Sequence, residues 1–265
     1  MNRFDLSGRI AVVTGALGRL GPVWCDALLE AGATVLALDR PGAPECAAFE
    51  DLRSHDGGRL HLDYADVRKR EDLVRVRERW SRELGAPSVV VNNAGIDAPP
   101  GSGGSARIED VPAELFLGTL EVNLVRAFQV MQVFAPAMLA ARRGSVINIG
   151  SLYASVSPDA RFYDHIDPPF LKPPAYGASK AGLVNLTRHL ATHWGPYGVR
   201  VNALSPGGVL GGQDPEFQRK FNARVPLGRM AGNSDLGGPL QFLASDASAY
   251  VTGIELRVDG GFTAW

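Results

Sequence analysis

The amino-acid sequence predicts an α/β fold: one doubly wound parallel β-sheet of about seven strands, with helices on both faces. Two observations predict it. Short runs rich in Val, Ile and Leu alternate along the chain with longer segments of helical periodicity. These runs are apolar throughout and do not alternate with polar residues, which is typical of strands buried on both faces.

The first half of the chain supplies four such strands. Gly32 follows the first helical segment, where a left-handed glycine commonly ends a helix. The charges of the second helical segment alternate in sign, as on a solvated helix face. The predicted elements are, in order, a strand at 9–14, a helix at 21–31, strands at 34–39 and 59–64, a helix at 69–84 and a strand at 88–92.

The second half supplies three more strands, again separated by apolar-periodic helical segments. Segments at 99–105 and 153–174 interrupt this alternation just after strand ends, where open α/β sheets bind ligands. We expect the first to be a solvent loop and the second, which is rich in aromatic residues, to be a substrate-side insert. The predicted elements are a helical stretch at 112–141, a strand at 145–149, a helix ending near 194, a strand at 199–204, a helix at 236–244 and a strand at 254–258.

Composition limits the possible functions. A length of 265 residues with 45% hydrophobic content suits a single domain over residues 1–265. The formal net charge of -1 leaves no basic face, so nucleic acid is not an expected partner. We see no apolar signal region at the N-terminus and no apolar stretch near the ~18 residues of a membrane span. A soluble, cytoplasmic protein without a membrane partner is therefore expected.

Cysteine and histidine positions do not predict a metal or redox centre. Cys25 and Cys46 have no motif spacing, and a buried small hydrophobe is the expected role of Cys25. His189 and His193 have the four-residue spacing of metal ligands on a helix, but no third ligand accompanies them. We expect no bound metal.

A tyrosine and a lysine point to proton-transfer chemistry. Tyr176 and Lys180 are four residues apart, which places both side chains on one face of a helix. A phenol has an ordinary pKa near 10, and a neighbouring ammonium favours the phenolate and lowers that pKa. Tyr176 is therefore a candidate general acid or base. The pair alone is weak evidence, because such spacing also arises by chance on a helix surface.

A glycine-rich turn predicts a dinucleotide site. Residues 14–21 join the first strand to the first helix, where backbone amides and a helix N-terminus receive a pyrophosphate. Asp39 ends the second strand, where its carboxylate can accept hydrogen bonds from adenosine ribose hydroxyls and would repel a 2′-phosphate. NAD is therefore favoured. Arg40 is a competing signal for NADP, because a guanidinium there can clamp that phosphate.

Taken together, these motifs resemble those of the classical short-chain dehydrogenase/reductase family, and the resemblance covers nearly the whole chain. The residues that carry it are Thr14, Gly15 and Gly21, Asn92 to Gly95, Asn123, Ser151, Tyr176 with Lys180, and Ser205 to Gly208. The resemblance implies a Rossmann-type fold. It also implies a homotetramer or homodimer, in which Trp265 is a candidate for packing across a subunit boundary.

The resemblance implies four catalytic roles. Tyr176 corresponds to the acid/base, Lys180 to the residue that lowers its pKa and binds the nicotinamide ribose, Ser151 to the donor that orients the substrate oxygen, and Asn123 to the holder of a relay water. The implied cofactor-binding residues are Gly15, Leu17, Gly18, Arg19, Leu20, Gly21, Asp39, Arg40, Asp66, Val67, Asn93, Ala94, Gly95, Tyr176, Lys180, Pro206, Gly207 and Val209.

Two departures from the family pattern are visible. Arg19 stands where the family usually has its middle glycine, so the turn is expected to be shaped differently or to direct Arg19 at a phosphate. The interval from Ser151 to Tyr176 is longer than usual, which resembles a subgroup linked to bacterial sugar, surface-polysaccharide or sialic-acid-like metabolism. Candidate substrate residues in this interval are Ser151, Tyr153, Arg161, Tyr163 and Phe170.

The expected function is NAD(H)-dependent interconversion of a secondary alcohol and a ketone, on a sugar, polyol or sugar-acid-like substrate. Hydride transfer leaves a developing alkoxide that needs a proton donor and a second hydrogen-bond donor placed in advance. One alternative is an NADPH-dependent reductase of 3-oxoacyl thioesters or another biosynthetic ketone. A more remote alternative is a non-catalytic dinucleotide sensor.

Overall fold

All seven predicted strands are present in a computed structural model of the chain, which describes residues 2–97, 107–167 and 169–265. The strands are β1 (Ile10–Thr14), β2 (Thr34–Asp39), β3 (Leu60–Tyr64), β4 (Val89–Asn92), β5 (Gly144–Ile149), β6 (Val199–Pro206) and β7 (Glu255–Val258). They form one parallel sheet in the order β3-β2-β1-β4-β5-β6-β7. The predicted fold class is therefore confirmed.

Helices connect the strands. They are α1 (Gly21–Glu30), α2 (Ala47–His55), α3 (Arg70–Glu83), α4 (Ala113–Leu120), α5 (Ala127–Ala141), α6 (Pro174–Trp194), α7 (Pro215–Arg224) and α8 (Ser234–Ala244). The sequence did not predict α2 or α7. Both are short and largely polar, and α2 fully buries only Phe49, so their apolar periodicity is weak. The expected loop at 99–105 lies outside the described residues.

The five inner strands contribute side chains to a core on both sides of the sheet, because successive side chains of a strand point to opposite faces. On one face Val13 packs in a cluster with Trp24 of α1 and Leu240 of α8. On the other face Val12 packs with residues of α3, α5 and α6, among them Phe134 of α5. Burying each such side chain contributes about 1.5–3 kcal/mol, so both faces stabilise the doubly wound arrangement.

The apolar stretch from α4 to α5 departs from expectation. Ala113–Ala141 is a continuous helical segment of 29 residues, long and apolar enough by composition to cross a membrane. The expectation that no stretch approaches that length was therefore wrong. In this fold α5 packs on the sheet through side chains such as Met131 and Phe134. A π-helical turn, Glu121–Arg126, separates α4 from α5.

The carboxyl ends of the strands meet at one edge of the sheet. The strand order reverses between β1 and β4, whose last residues Thr14 and Asn92 are paired in register. Connections leave β1 and β4 toward opposite faces, which opens a crevice at this edge. Residues of the 153–174 segment cover it from one side. Phe162 from that segment packs with Phe217 and Phe221 of α7 in a third, aromatic cluster.

Candidate active site

A cleft of about 930 Å³ opens at the carboxyl edge of the sheet. Such a volume suits a sizeable small-molecule ligand. Most of the predicted cofactor-binding residues line it: Gly15, Gly18, Arg19, Leu20, Asp39, Arg40, Asp66, Val67, Asn93, Ala94, Gly95, Tyr176, Lys180, Pro206, Gly207 and Val209. The loops after six neighbouring strands, β1 to β6, therefore converge on one elongated site.

The glycine-rich turn closes tightly against the loop after β4. Gly15 has φ +65°, a left-handed conformation that side chains disfavour, and an added Cβ would lie 2.8 Å from Cα of Ala94. The Asn93 side-chain amide holds this arrangement by donating to the carbonyl of Gly15 at 2.8 Å. Only a residue without a Cβ allows this approach, which brings the turn and the start of α1 to the cleft wall. This geometry fits the pyrophosphate of a dinucleotide.

Leu17 and Gly21, both predicted to bind the cofactor, do not line the cleft. Leu17 is buried, and its backbone N–H donates to Oδ2 of Asp39 at 2.9 Å. Gly21 is the buried first residue of α1. Because the turn folds back toward β2, these two residues support the cleft wall from behind.

The cleft wall at the end of β2 carries both residues that bear on the choice of cofactor: Asp39, which favours NAD, and Arg40, which favours NADP. Oδ1 of Asp39 accepts a hydrogen bond from the Arg40 backbone at 2.8 Å, and both side chains line the cleft. A carboxylate has further acceptor capacity for ribose hydroxyls. Asp66 is held in a bidentate pair with Arg68, which lowers the pKa of the Asp66 carboxyl. Asp39 and Asp66 therefore fit an adenosine ribose, and Arg40 lies in the same cleft wall.

Arg19 contacts another loop of the protein. Its Nη2 donates a hydrogen bond to the main-chain carbonyl of Val209, in the loop after β6. The sequence left open whether this side chain points at a phosphate. In the structure this side chain joins the β1–α1 turn to the loop after β6.

The predicted catalytic side chains meet where β5 ends. Ser151 follows β5 by two residues and Tyr176 lies in the first turn of α6, and both side chains line the cleft. Lys180 lies one helical turn further on, with Nζ 5.7 Å from the centroid of the Tyr176 ring. Its ammonium is buried and donates to the carbonyl of Ile149 at 2.7 Å. A phenol, a hydroxyl and an ammonium therefore face one point of the cleft.

Burial dominates the electrostatics of these groups. It raises the pKa of Tyr176, and the nearby Asp97 carboxylate raises it further, while the hydrogen bond with Ser151 opposes both effects. Burial also lowers the pKa of Lys180 to about 8. The sequence led us to expect a lowered pKa for Tyr176. In the chain by itself the direction is the opposite, because removing the phenol from water disfavours the phenolate.

Asn123 has a structural position in the π-helical turn. Its buried side chain accepts from the Ile96 backbone N–H at 2.8 Å and donates to the Ile96 carbonyl at 3.0 Å and to Oγ of Ser179 at 3.0 Å. These bonds tie the loop after β4 to α6, beside the cleft but not in its lining. The relay role implied by the family stays a prediction.

The candidate substrate residues divide into two groups. Ser151, Tyr153 and Tyr163 line the cleft, and the two tyrosine side chains hydrogen-bond each other. Arg161 does not line it: the short 3-10 turn Ala160–Phe162 directs Phe162 inward and Arg161 outward. The guanidinium of Arg161 pairs with Asp159 at 2.6 Å and borders a second cavity instead. The structure therefore places Arg161 outside the cleft that holds the other candidate residues, and its substrate role stays a prediction.

Phe170 also lies outside the cleft lining. Its ring packs edge-on against Tyr163, with centroids 5.0 Å apart, so it supports a residue that lines the cleft. Two residues that do line the cleft were missed in the sequence, Asp97 and Lys172. Nζ of Lys172 lies 2.6 Å from each carboxylate oxygen of Asp97 and 5.2 Å from the Tyr176 ring centroid. The signal available was a second lysine at a four-residue spacing from Tyr176.

No metal site accompanies these groups in the part of the chain that the structure describes. Within it, no three His, Cys, Asp or Glu side chains are grouped so as to hold a metal ion. His189 and His193 stack on each other, with ring centroids 4.7 Å apart.

Comparisons with known proteins agree with this geometry. A family model described as enoyl-(acyl carrier protein) reductase matches residues 19–263. A galactitol 2-dehydrogenase (L-tagatose-forming) from Cereibacter sphaeroides is 31% identical over 271 residues, which cover 99% of this chain and 98% of that protein. An uncharacterised short-chain type dehydrogenase/reductase from Sinorhizobium fredii is 33% identical over 96% of this chain, but the match spans 44% of its own length.

Solved structures show the same architecture. A short-chain dehydrogenase from Leptospira borgpetersenii with bound NAD+ has a TM-score of 0.84 and 31% identity, covering 98% of this chain and 94% of that one. A gluconate 5-dehydrogenase from Burkholderia cenocepacia in complex with NADP and tartrate has a TM-score of 0.86 and 28% identity, covering 100% and 98%. The chain therefore belongs to the short-chain dehydrogenase/reductase family, as an NAD(P)-dependent oxidoreductase that acts on CH–OH groups.

Proposed function

We propose that this protein is an NAD(H)-dependent dehydrogenase that interconverts a secondary alcohol and a ketone in a polyol, sugar or sugar acid. The observation that carries the proposal is that Ser151, Tyr176 and Lys180 line the same cleft as Asp39, with Nζ of Lys180 5.7 Å from the Tyr176 ring centroid. This arrangement supplies proton transfer and dinucleotide binding in one continuous site.

Each side chain has a defined part in the reaction. The Tyr176 phenol exchanges a proton with the reacting oxygen, and the Ser151 hydroxyl donates a hydrogen bond that orients that oxygen. When bound, the nicotinamide ring supplies or accepts the hydride. Lys180 brings positive charge beneath this end of the cleft, held by the Ile149 carbonyl. A cationic oxidised nicotinamide adds to that charge, and both favour the phenolate that burial disfavours.

The preference for NAD rests on Asp39. Its carboxylate lies in the cleft wall at the end of β2 with both oxygens oriented by backbone N–H groups of Leu17 and Arg40. A fixed negative charge there accepts hydrogen bonds from ribose hydroxyls and repels a 2′-phosphate. Similar structures bind NAD+ in one case and NADP in another, so the choice falls to this residue and its neighbour Arg40.

The substrate class rests on the cleft lining and on the relatives. The insert at 153–174 places polar groups of Tyr153, Tyr163 and Lys172 in the cleft beside Tyr176. Polar groups at several points suit a substrate with several hydroxyls. One relative acts on galactitol, and one similar structure is a gluconate 5-dehydrogenase that contains tartrate.

A substrate screen tests this proposal. We expect the protein to reduce NAD+ with members of a panel of polyols and sugar acids, and to do so more efficiently than it reduces NADP+. Tyr176→Phe should lower kcat by about 100- to 10,000-fold, because it removes the proton donor, while the variant still binds NADH. Stronger activity with NADPH and a 3-oxoacyl thioester, or undiminished turnover of the variant, would overturn the proposal.

We further propose that the protein is cytoplasmic and forms a homotetramer or homodimer. Several apolar side chains of α4 and the following π-helical turn are exposed, including Leu115, Leu117 and Val125, and Trp265 is also exposed. Covering such side chains is the usual reason for a subunit contact. Light scattering coupled to size-exclusion chromatography tests the oligomeric state: a mass of 28.3 kDa, that of one chain, would contradict an oligomer.

A further inference from the structure

The cleft contains an ion pair that the reaction itself does not require. Asp97 follows β4 and Lys172 precedes α6, so the pair bridges the two walls of the cleft. Nζ of Lys172 lies 2.6 Å from both carboxylate oxygens of Asp97. The Lys172 side chain is 9% exposed, whereas that of Asp97 is 44% exposed. Asp97 is therefore the more exposed member of the pair, and Lys172 is the more buried one.

The pair lies directly beside the reacting groups. Nζ of Lys172 is 5.2 Å from the Tyr176 ring centroid, and the Asp97 charge raises the pKa of the Tyr176 phenol. An oxygen bound between Tyr176 and Ser151 would have the substituents of its neighbouring carbon within reach of this pair. In a vicinal diol that substituent is a second hydroxyl.

A hydroxyl matches the chemistry of the pair. It both donates and accepts a hydrogen bond, while a carboxylate only accepts and an ammonium only donates. A carboxylate offers about four acceptor positions, so it can accept from a substrate hydroxyl as well as from Lys172. Hydrogen bonds to charged groups are also stronger than those between neutral groups.

The surroundings make this polar contact selective. Much of the remaining lining near Tyr176 is apolar or aromatic, with Leu152, Phe217, Phe221 and Met230. A substrate without the second hydroxyl would bring a carbon against the ion pair and exclude the water that solvates it. A site built to hydrogen-bond a hydroxyl rejects an analogue that lacks it, because its own polar groups lose their partners.

We propose that Asp97 and Lys172 together bind the hydroxyl next to the reacting carbinol, which makes vicinal diols within polyols and sugar acids the preferred substrates. The inference rests on the proposed alcohol–ketone interconversion and specifies its substrate class. Asp97 and Lys172 then act as specificity-determining residues, and Tyr176 keeps the proton transfer.

Two small substrates test the inference. 2,3-Butanediol and 2-butanol carry the same reacting centre and differ by the neighbouring hydroxyl. We expect wild-type protein to have a higher kcat/KM for the diol. Lys172→Met and Asp97→Asn should each lower kcat/KM for the diol by about 10- to 100-fold, the range expected for lost hydrogen bonds to charged groups. Because the Asp97 charge also affects the Tyr176 pKa, and so turnover of both substrates, each variant is scored by the ratio of kcat/KM for the diol to that for 2-butanol, which should fall by about 10- to 100-fold.

The chain offers a matched control. Lys220 also pairs with carboxylates, Asp164 and Glu216, but borders the second cavity and not the cleft. Lys220→Met makes the same chemical change and should leave both substrates unaffected. NADH titration of each variant checks that the cofactor site is intact.

Each outcome bears on a separate claim. Equal losses on the diol and on 2-butanol would mean that the pair tunes Tyr176 or tethers the cleft walls, and would overturn the inference. Wild-type protein that oxidises 2-butanol as well as the diol would overturn it too, while leaving alcohol oxidoreduction intact. Wild-type protein that turns over no alcohol and instead reduces 3-oxoacyl thioesters would overturn the proposed function, and this inference with it.

Discussion

The guanidinium of Arg19 donates a hydrogen bond to the main-chain carbonyl of Val209, across the mouth of the cleft. It joins the glycine-rich turn after β1 to the loop after β6. Gly211 in that loop leaves room for it, because an added Cβ would overlap the guanidinium. The two loops that flank a bound dinucleotide are therefore held together by one side chain.

Removing this contact should weaken cofactor binding. We expect Arg19→Ala to raise the Kd for NADH by about 5- to 20-fold, as for a lost hydrogen bond to a charged group. Gly211→Ala should raise the Kd as well, because it displaces the guanidinium while keeping its charge. Fluorescence titration measures both. If Gly211→Ala binds NADH like wild type, the contact with Val209 does not matter for binding.

Asp39 should determine the choice between cofactors. Asp39→Ser removes the charge that repels a 2′-phosphate and leaves Arg40 in the same wall. We expect the ratio of kcat/KM for NAD+ to that for NADP+ to fall by about 10- to 100-fold. Arg40→Ala is the matched change and should shift the ratio the other way. If Asp39→Ser has the same ratio of kcat/KM for NAD+ to that for NADP+ as the wild type, residues other than Asp39 determine the cofactor preference.

Lys180 should give stability a distinct pH dependence. Burial lowers the pKa of Lys180 from 10.5 to about 8, so between these values the unfolded chain binds a proton that the folded chain lacks. Stability due to this residue therefore rises with pH from 8 toward 10.5, by up to about 1 kcal/mol per pH unit. Below pH 8 both states are protonated and the cost of burying the charge is fully present.

A Lys180→Met variant isolates this contribution. The unfolding free energy of the variant minus that of wild type should fall as pH rises from 8 to 10, measured by urea titration. Comparing the two proteins at each pH cancels the titration of the other groups. A difference that does not change with pH would show that Lys180 keeps its ordinary pKa in the folded chain.

Arg161 and Tyr163, which lie close together in the insert, should respond differently to mutation. Arg161→Ala should leave kcat/KM unchanged within about twofold, because its exposed pair with Asp159 lies away from the cleft. Tyr163→Phe removes a hydroxyl from the cleft lining and should alter KM for a polyol. Steady-state kinetics with one polyol compares them. A larger effect from Arg161→Ala would mean that this residue reaches the substrate.

Much of the site was visible in the sequence because it depends on local pattern. The glycine-rich turn, Asp39 at the end of β2 and the Tyr176–Lys180 spacing each follow from which residues adjoin a strand or share a helix face. Parallel strands then place their carboxyl ends at one edge, so the loops that carry these residues meet. The placement of Arg161 outside the cleft could not be predicted, because a residue's position in an insert does not tell which way a short 3-10 turn directs its side chain.

By itself, the sequence determined the seven strands and the order of elements along the chain, the cleft at the strand ends and the family of the enzyme. Tertiary structure decided which distant groups meet. It paired Arg19 with Val209 and Asp97 with Lys172, residues 190 and 75 positions apart in the chain. It also reversed the expected direction of the Tyr176 pKa, since desolvation depends on everything packed around the phenol and not on the neighbour four residues away.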